Sequence, residues 1–282
     1  MNFIDKHKQN FSLAIKNNEK IVFPEKESIK EFNKSLLFGK LRYWWCWFVV
    51  SIVLLVVAPP AIIFYRFKKK RDGYFKVCDF GARVWLWSCG VKVKVKGYEN
   101  LEKGRQYVFV CNHRSYLDTA SLYAHAGRRV GLVAKKELLK APIFGYGLRI
   151  ANIIAIDRSN PKRARESMDK AREIMSDNYS FGVFAEGTRA MPGELLPFKK
   201  GAIHLALQTN APIIPVAFRN TDKLMGKKTG VAFPGTVEMV LLPPIETAGK
   251  TAKDDLMKLM NKTREAIALE LAKKNTAGKN LK

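Results

Sequence analysis

The stretch QYVFVCNHRSYLD, residues 106–118, decides how the rest of the chain is interpreted. Its first half is an apolar run of aromatic and β-branched residues, which is typical of a buried strand. Ser115 and Asp118 then form the S-x-x-D pattern that caps the start of a helix. The stretch therefore predicts a strand, a turn and a helix in succession.

The same alternation continues along the chain on both sides of this unit. Strands are predicted at residues 91–96, 106–111, 130–134, 152–156, 181–185, 212–218 and 236–242. Helices are predicted at residues 161–178, 198–209 and 253–274, with Asn160 as the N-cap of the first. Pro215, inside the sixth strand, predicts an edge position or a bulge. The pattern predicts an α/β fold with a mixed, largely parallel sheet flanked by helices, whose functional loops lie at the carboxyl ends of the strands.

A long apolar segment precedes this alternation. Residues 43–65 carry no charge and begin with a tryptophan-rich stretch, which is typical of a membrane segment with an interfacial aromatic belt. Pro59 and Pro60 are predicted to break its helix, and Lys and Arg flank it on both sides. Residues 74–91 form a second, semi-apolar segment. We therefore predict an N-terminal membrane-embedded helical hairpin that enters one leaflet, with a single tilted span as the alternative.

The composition limits the possible partners. The formal net charge is +25, yet 47% of the residues are hydrophobic, too many for a disordered polycation. So basic a chain has anionic partners, and since it lacks a nucleic-acid-binding motif we expect an anionic phospholipid membrane and no nucleic acid. The four cysteines show neither zinc-ligand nor disulfide-scaffold spacing. The predicted organisation is a basic segment at 1–42, a membrane-associated helical segment at 43–91 and an α/β domain at 92–282.

The candidate chemistry begins with His113 and Asp118, five residues apart after the strand. Neither a helix nor a strand brings residues at this spacing together, so they can meet only across a turn. The carboxylate would then orient the imidazole and leave its other nitrogen as a general base. Alternatively, Asp118 only caps the helix and His113 is an ordinary loop residue. Cys111 is interpreted as an inert core thiol rather than a nucleophile.

A second cluster, Glu186-Gly187-Thr188-Arg189, follows the strand at 181–185. A glycine turn lets backbone N–H groups approach an anion, and an arginine fork suits phosphate. Lys135 and Arg158 follow two other strands, so the same edge of the sheet collects further cations. The chain lacks a Walker loop, a G-x-G-x-x-G motif and an acidic cluster, so neither nucleotide nor metal chemistry is expected. The pattern suits deprotonation of a hydroxyl on a phosphorylated amphiphile.

Taken together, these residues resemble the glycerolipid acyltransferases, specifically the 1-acylglycerol-3-phosphate (lysophosphatidate) acyltransferases. The resemblance covers roughly residues 85–245 and rests on four blocks in order. They are Asn112-His113-x4-Asp118, Lys135 to Arg158, Phe184-Ala185-Glu186-Gly187-Thr188-Arg189-Ala190, and Pro212-Ile213-Ile214-Pro215-Val216. Ala185 and Ala190 stand where the family usually has proline and serine.

The resemblance implies transfer of a fatty acyl group from acyl-CoA or acyl-acyl carrier protein to the 2-hydroxyl of lysophosphatidate, giving phosphatidate. His113 and Asp118 would form the general-base dyad. The substrate-binding residues it implies are Asn112, Lys135, Arg158, Glu186, Gly187, Thr188 and Arg189. It implies neither a metal nor a tightly bound cofactor, and a membrane-bound enzyme with its catalytic domain on the cytoplasmic face.

Two other functions remain open at the level of sequence. The acceptor can be glycerol-3-phosphate or another lysophospholipid, since the first three blocks separate these acceptors poorly. More distant is a non-enzymatic basic protein of the membrane surface, for which the net charge is the only argument.

Overall fold

The structure, a computed structural model, describes residues 11–23, 36–57, 59–61, 63–64, 71–134, 153–155 and 161–273. The strands are β1 (Ile21–Val22), β2 (Val91–Lys96), β3 (Val108–Cys111), β4 (Val130–Ala134), β5 (Ile153–Ala155), β6 (Ser180–Phe184), β7 (Glu194–Leu195), β8 (Ile213–Arg219) and β9 (Gly235–Leu241). The helices are α1 (Leu36–Ile52), α2 (Arg71–Ser88), α3 (Tyr116–His125), α4 (Pro161–Ser176), α5 (Gly201–Thr209), α6 (Thr221–Met225) and α7 (Leu256–Ala272).

The main sheet has seven strands in the order β2–β9–β8–β3–β6–β4–β5. Only β8 and β9 run antiparallel among these neighbours, which confirms the predicted mixed, largely parallel sheet. All seven predicted strands are present within two residues of their expected bounds, and the three predicted helices appear as α4, α5 and α7. The N-cap predicted at Asn160 lies outside the described residues.

Strand β3 lies near the middle of the sheet and is buried on both faces. Val108 and Val110 pack into a core that includes residues of α4, α5 and α7. Phe109 and Cys111 pack into the opposite core, with residues of α2 and α3. Alternate side chains of a strand point to opposite faces, so a continuously apolar run is what a strand covered by helices on both faces requires. The loop after β3 is therefore anchored in the most buried part of the domain.

Strand β8 is an interior strand, so the edge position expected from Pro215 is not found. Pro215 lies opposite Val110 of β3, and its carbonyl accepts a hydrogen bond from the Leu242 N–H beyond the end of β9. The N–H and C=O of a strand residue point to the same side, so the missing N–H of Pro215 faces β9. The β8–β9 ladder begins only one residue later, at Val216, and the proline therefore leaves the pairing with β3 intact.

Helices α1 and α2, which precede the sheet domain, pack against each other. The Trp85 indole of α2 donates a hydrogen bond to the Cys46 carbonyl of α1 at 3.1 Å, and α2 also packs on α3. A helix over Leu36–Ala61 is long and apolar enough to cross a membrane, and only 6% of its most apolar window is buried. The predicted pair of helical segments is thus present, and the first has the length and composition of a membrane span.

The helix does not break at Pro59 and Pro60, in contrast to the expectation from sequence. Residues 59–61 are helical, and a π-helical turn at Val53–Val57 precedes them. A proline lacks the N–H and its ring clashes with the carbonyl four residues earlier, which for both prolines falls inside this turn. The wider π-helical turn accommodates the clash, so helical structure continues beyond the prolines.

Residues 11–23, called the N-terminal clasp below, pack onto the α/β domain. Phe11, Ile15 and Ile21 are buried in the core beneath α5 and α7, and β1 pairs antiparallel with β7. The Asn18 side chain donates to the Phe198 carbonyl at 2.9 Å and accepts from the Phe198 N–H at 2.8 Å. The clasp thus holds the loop that leads into α5.

The fully buried Arg264 of α7 ties the clasp to the domain from the other side. Its guanidinium donates to the carbonyls of Ala14, at 2.8 Å, and of Glu19. Of the segment predicted as one unit at 1–42, the structure describes residues 11–23 and 36–42. The clasp belongs with the sheet domain, because its apolar residues complete that core, whereas residues 36–42 begin α1.

Replacing Asn18 with alanine is expected to destabilise the domain by about 2–3 kcal/mol. The change removes two hydrogen bonds of about 1 kcal/mol each and leaves an alanine at φ 52°, a left-handed conformation that costs about 1 kcal/mol without asparagine or glycine. The measurement is urea unfolding of the full-length protein in detergent. Asn17→Ala is the matched control, since Asn17 is exposed and should change stability by less than about 0.5 kcal/mol. Equal stability of the two variants would contradict an integral clasp.

Candidate functional site

The turn after β3 is held by its first residue, Asn112. This side chain is fully buried, and its amide donates to the Phe218 carbonyl at 3.1 Å and accepts from the Phe218 N–H at 2.7 Å. Both bonds go to the backbone of β8, the strand beside β3. Asn112 was predicted as a substrate-binding residue, but the geometry shows its amide engaged in fixing where the turn begins.

His113 and Asp118 meet across this turn, as their spacing requires. His113 Nδ1 lies 2.9 Å from Asp118 Oδ2. The same carboxylate oxygen accepts hydrogen bonds from the backbone N–H groups of Arg114 at 2.7 Å and Ser115 at 2.8 Å. Ser115 caps α3 in return by accepting from the Leu117 N–H. Asp118 therefore both caps the helix and holds the His113 ring, so the alternative in which Asp118 only caps the helix is not found.

The histidine ring is fixed but reachable. It stacks on Phe184 at the end of β6, with ring centroids 4.1 Å apart. The Asp118 side chain is fully buried, whereas that of His113 is 15% exposed. Within the part of the chain that the structure describes, Nε2 of His113 has no hydrogen-bond partner. A ring held through Nδ1 and open at Nε2 has the geometry of a general base.

Glu186 connects the histidine turn to the second cluster. Its carboxylate is buried and accepts from the His113 N–H at 2.6 Å and from the Leu196 N–H at 2.7 Å. Burial raises the pKa of Glu186 to about 8, although these two hydrogen bonds and the Arg114 charge act in the opposite direction. Glu186 was predicted to hold substrate, but both of its oxygens are engaged with backbone. Its geometry is that of a brace between two loops.

The Gly187–Arg189 loop lies directly beside His113, because the Ala190 N–H donates to the His113 carbonyl at 2.7 Å. Gly187 has φ 70°, and an added Cβ would lie 2.8 Å from Nζ of Lys199. Thr188 is exposed, and Arg189 is half-buried. The predicted meeting of the two clusters at one edge of the sheet is therefore found.

Lys135 and Arg158, the other two cations predicted for this edge, lie outside the described residues. The structure also places Lys199 beside the glycine turn, a residue that was not among the predicted site residues. Lys199 directly follows Pro197 and Phe198, nine residues after the end of the third block at Ala190, and this closeness in sequence is the signal that could have indicated it.

Arg114 and Asp222 were missed as well. The Arg114 guanidinium lies 3.1 Å from the Asp222 carboxylate and donates to the Glu194 carbonyl at 2.7 Å, and both side chains are buried. This pair joins the histidine turn to α6 and to β7. Partners 108 residues apart leave no local pattern in a single sequence.

The two departures from the family pattern are small and packed. Ala185 and Ala190 are both buried. The Ala185 N–H donates to the Cys111 carbonyl at 3.1 Å, a bond that a proline at this position could not make. Ala185 therefore extends the β3–β6 ladder by one hydrogen bond. This bond attaches the start of the Glu186 loop to the sheet, whereas a proline would have restricted only the backbone φ angle of that position.

Other nucleophiles and ligands have less support. Burial raises the pKa of the Cys111 thiol well above its ordinary value, which keeps it protonated and agrees with an inert core residue. Among the described residues, no group of three or more His, Cys, Asp or Glu side chains is arranged to hold a metal ion.

An α/β sheet that presents a held histidine and an arginine loop at the carboxyl ends of its strands combines the elements of a general-base site and of an anion site. Comparison with known proteins specifies the family. The sequence profile of the family described as Acyltransferase matches residues 92–219. The human 1-acyl-sn-glycerol-3-phosphate acyltransferase alpha is 33% identical over 191 residues, which cover 67% of each chain. The chain belongs to this acyltransferase family, and the resemblance drawn from the four blocks is confirmed.

Two further comparisons agree. The 1-acyl-sn-glycerol-3-phosphate acyltransferase of Limnanthes douglasii is 38% identical over 184 residues, and the match spans 64% of this chain and 64% of that protein. The fold resembles the crystal structure of the 1-acyl-sn-glycerophosphate acyltransferase PlsC from Thermotoga maritima, with a TM-score of 0.70 and 24% identity. That alignment covers 84% of this chain and 98% of PlsC.

Replacing Glu186 with glutamine is expected to destabilise the site, because an amide oxygen can accept only one of the two N–H bonds and the NH2 group faces the other donor. The loss should depend on pH. In the folded protein the pKa of Glu186 is about 8, above its ordinary value of 4.5. The protonated Glu186 side chain therefore adds most to the free energy of unfolding below pH 4.5, and this contribution is lost as the pH rises through 8.

The measurement is the unfolding free energy of the wild type minus that of Glu186→Gln, followed from about pH 4.5 to 9. The difference should shrink as the pH rises. Glu99→Gln, at an exposed position, is the control and should show no such trend. A difference that stays constant over this range would contradict a buried, protonated Glu186.

Proposed function

We propose that the protein transfers a fatty acyl group from acyl-CoA or acyl-acyl carrier protein to the 2-hydroxyl of lysophosphatidate, giving phosphatidate. The observation that supports this most directly is the 2.9 Å contact between His113 Nδ1 and Asp118, beside a loop that carries Arg189. The names of the relatives, which are 1-acyl-sn-glycerol-3-phosphate acyltransferases, favour lysophosphatidate as the acceptor.

In the proposed reaction, His113 acts through Nε2. It takes the proton of the acceptor hydroxyl as the oxygen attacks the thioester carbonyl carbon, and the resulting oxyanion then collapses. The carbon–sulfur bond breaks, and the proton on Nε2 passes to the departing thiolate, so the histidine returns to its neutral form. Asp118 keeps the other proton on Nδ1 and stabilises the transient imidazolium. The reaction needs neither a metal nor a tightly bound cofactor.

The phosphate of the acceptor is assigned to the loop beside His113. Arg189 offers a planar fork for phosphate oxygens, the Gly187 turn lets the backbone come close, and exposed Thr188 lies between them. Lys199 adds a cation beside Gly187. Lys135 and Arg158 remain proposed contributors on the strength of the family blocks. Glu186 and Asn112 serve this site by bracing its loops, since their polar atoms bind backbone.

The membrane is the proposed second partner, rather than nucleic acid. Apolar α1 and its π-helical turn expose large side chains such as Trp44, Phe48 and Leu55, and removing these from water is favourable. Basic residues near anionic lipid add about 1 kcal/mol each. We assign the catalytic domain to the cytoplasmic face. Digestion of the domain by protease added outside sealed cells, with their membranes intact, would contradict that orientation.

His113→Ala is expected to lower kcat by about 10²–10⁴-fold, the usual contribution of a general base, with the protein still folded. Asp118→Asn should lower kcat too, because the amide no longer fixes the Nδ1–H tautomer. The assay follows phosphatidate formed from lysophosphatidate and acyl-CoA. His204→Ala is the control, since that side chain is half-buried on α5, outside the two site loops. An active His113→Ala variant would overturn the mechanism.

A panel of acceptors tests the substrate. The wild type should prefer lysophosphatidate over glycerol-3-phosphate, other lysophospholipids and monoacylglycerol when these compete in one mixture. Arg189→Ala should raise the KM for lysophosphatidate by about 10-fold or more, because a charge-assisted hydrogen bond to phosphate contributes about 1.5–3 kcal/mol, and leave monoacylglycerol unaffected. Running the panel with acyl-CoA and with acyl-acyl carrier protein identifies the donor. A preference for an acceptor without a terminal phosphate would contradict the assignment.

A further inference from the structure

The Arg189 side chain lies flat on an aromatic ring. Its guanidinium carbon is 3.7 Å from the centroid of the Tyr116 ring, the first residue of α3. Among the described residues, no carboxylate lies within ion-pair distance of Arg189. The Lys227 amine donates a hydrogen bond to the Arg189 carbonyl at 2.5 Å, which fixes the Arg189 backbone. The Arg189 side chain stacks on the tyrosine.

Stacking of this kind is compatible with anion binding. All N–H bonds of a guanidinium lie in its plane, whereas the ring occupies only one face. An arginine on an open loop samples many rotamers, and an ion pair with a carboxylate would occupy its donors. A ring restricts the rotamers and occupies no donor. Among the described residues, the arginine is therefore held against the ring with no carboxylate on its N–H edges.

The tyrosine is itself held by the apolar helix. Its ring meets Trp47 of α1 edge-on, with centroids 5.4 Å apart and planes at 88°. Trp47 also contacts Tyr43 and Trp85, at centroid distances of 6.1 and 6.3 Å. A continuous series of ring contacts thus runs from the helix proposed to enter the membrane to the arginine beside His113.

We propose that Tyr116 is a positioning residue that orients the Arg189 guanidinium for the acceptor's phosphate, and that Trp47 fixes Tyr116 in turn. The orientation of this arginine then depends on the packing of α1 against the domain. The inference rests on the proposed function, in which Arg189 receives that phosphate. Tyr116 acts through Arg189, and its hydroxyl is not required.

The test compares Tyr116→Leu, which removes the ring, with Tyr116→Phe, which keeps it. In steady-state assays of the full-length protein with lysophosphatidate, Tyr116→Leu should raise KM about 10-fold and change kcat less than about 2-fold, whereas Tyr116→Phe should match the wild type. Tyr98→Leu is the matched control, because Tyr98 is an exposed tyrosine whose hydroxyl bonds the His125 carbonyl. It should leave KM unchanged.

The same substitutions in an Arg189→Ala background separate a positioning role from a structural one. If Tyr116 acts through Arg189, Tyr116→Leu adds less than about 2-fold to the KM of Arg189→Ala. An unchanged KM in Tyr116→Leu, a loss confined to kcat, or the same 10-fold increase in both backgrounds would each overturn the inference. If Arg189→Ala itself leaves KM unchanged, the phosphate assignment of the proposed function fails, which is a different result.

A second pair of variants changes Trp47 of α1, and it tests the same inference if Tyr116→Leu does not fold. Trp47→Leu should raise the KM for lysophosphatidate about 3-fold, and Trp47→Phe, which retains an aromatic edge, should restore it. Trp47→Leu should leave the KM for acyl-CoA unchanged. Equal KM values for lysophosphatidate in the wild type and Trp47→Leu would overturn the role of α1.

Discussion

The site depends on one buried carboxylate, that of Asp118. A charge in the dry interior is tolerated only where fixed donors surround it, and here a single oxygen faces His113 Nδ1 and two backbone N–H groups. Those donors belong to consecutive residues of one turn, so the hydrogen bonds to Oδ2 set the backbone of the turn and the orientation of the imidazole together. Helix capping and histidine orientation are the same set of contacts.

The other buried polar groups extend this turn to the rest of the domain. Asn112 attaches its start to β8, Glu186 links it to the β7 loop, and Arg114 reaches α6 through Asp222. The bonds from this turn to Phe218, Glu186 and Asp222 join residues that are 106, 73 and 108 positions apart in sequence. Because an unpaired polar group in the core is costly, the loops around His113 are restrained to one arrangement before any substrate arrives, and this kind of preorganisation suits a catalytic site.

The structure also gives the N-terminal residues a place. The clasp contributes Ile21 and Phe11 to a core that α7 closes, and Asn18 grips the loop that carries Lys199. On the opposite face, α1 and α2 bring aromatic rings up to α3. The α/β domain is thus braced from both sides by segments that precede the region matched by the family profile, residues 92–219.

Much of this structure could be predicted from the sequence, because the features concerned depend on residues that are close together in the chain. The strand and helix bounds follow from apolar periodicity, and the contact between His113 and Asp118 follows from a strand end and a capping pattern that lie within residues 112–118. The helical structure at Pro59 and the interior position of Pro215 could not be predicted from sequence. Each depends on the partner to which the missing proline N–H would have pointed, and that partner is set by the folded structure.

The roles of Glu186, Asn112 and Tyr116 were likewise beyond the sequence. A carboxylate beside a glycine turn can contact either a substrate or the protein backbone. The Glu186 carboxylate contacts backbone because the folded chain places the N–H groups of His113 and Leu196 beside it. The sequence by itself determined the sheet, the contact between His113 and Asp118 and the family, since each of these rests on local periodicity or on short motifs. The tertiary structure alone decided which polar groups brace the loops and which remain open to a ligand, because hydrogen bonds and ring contacts between distant segments exist only once the chain has packed.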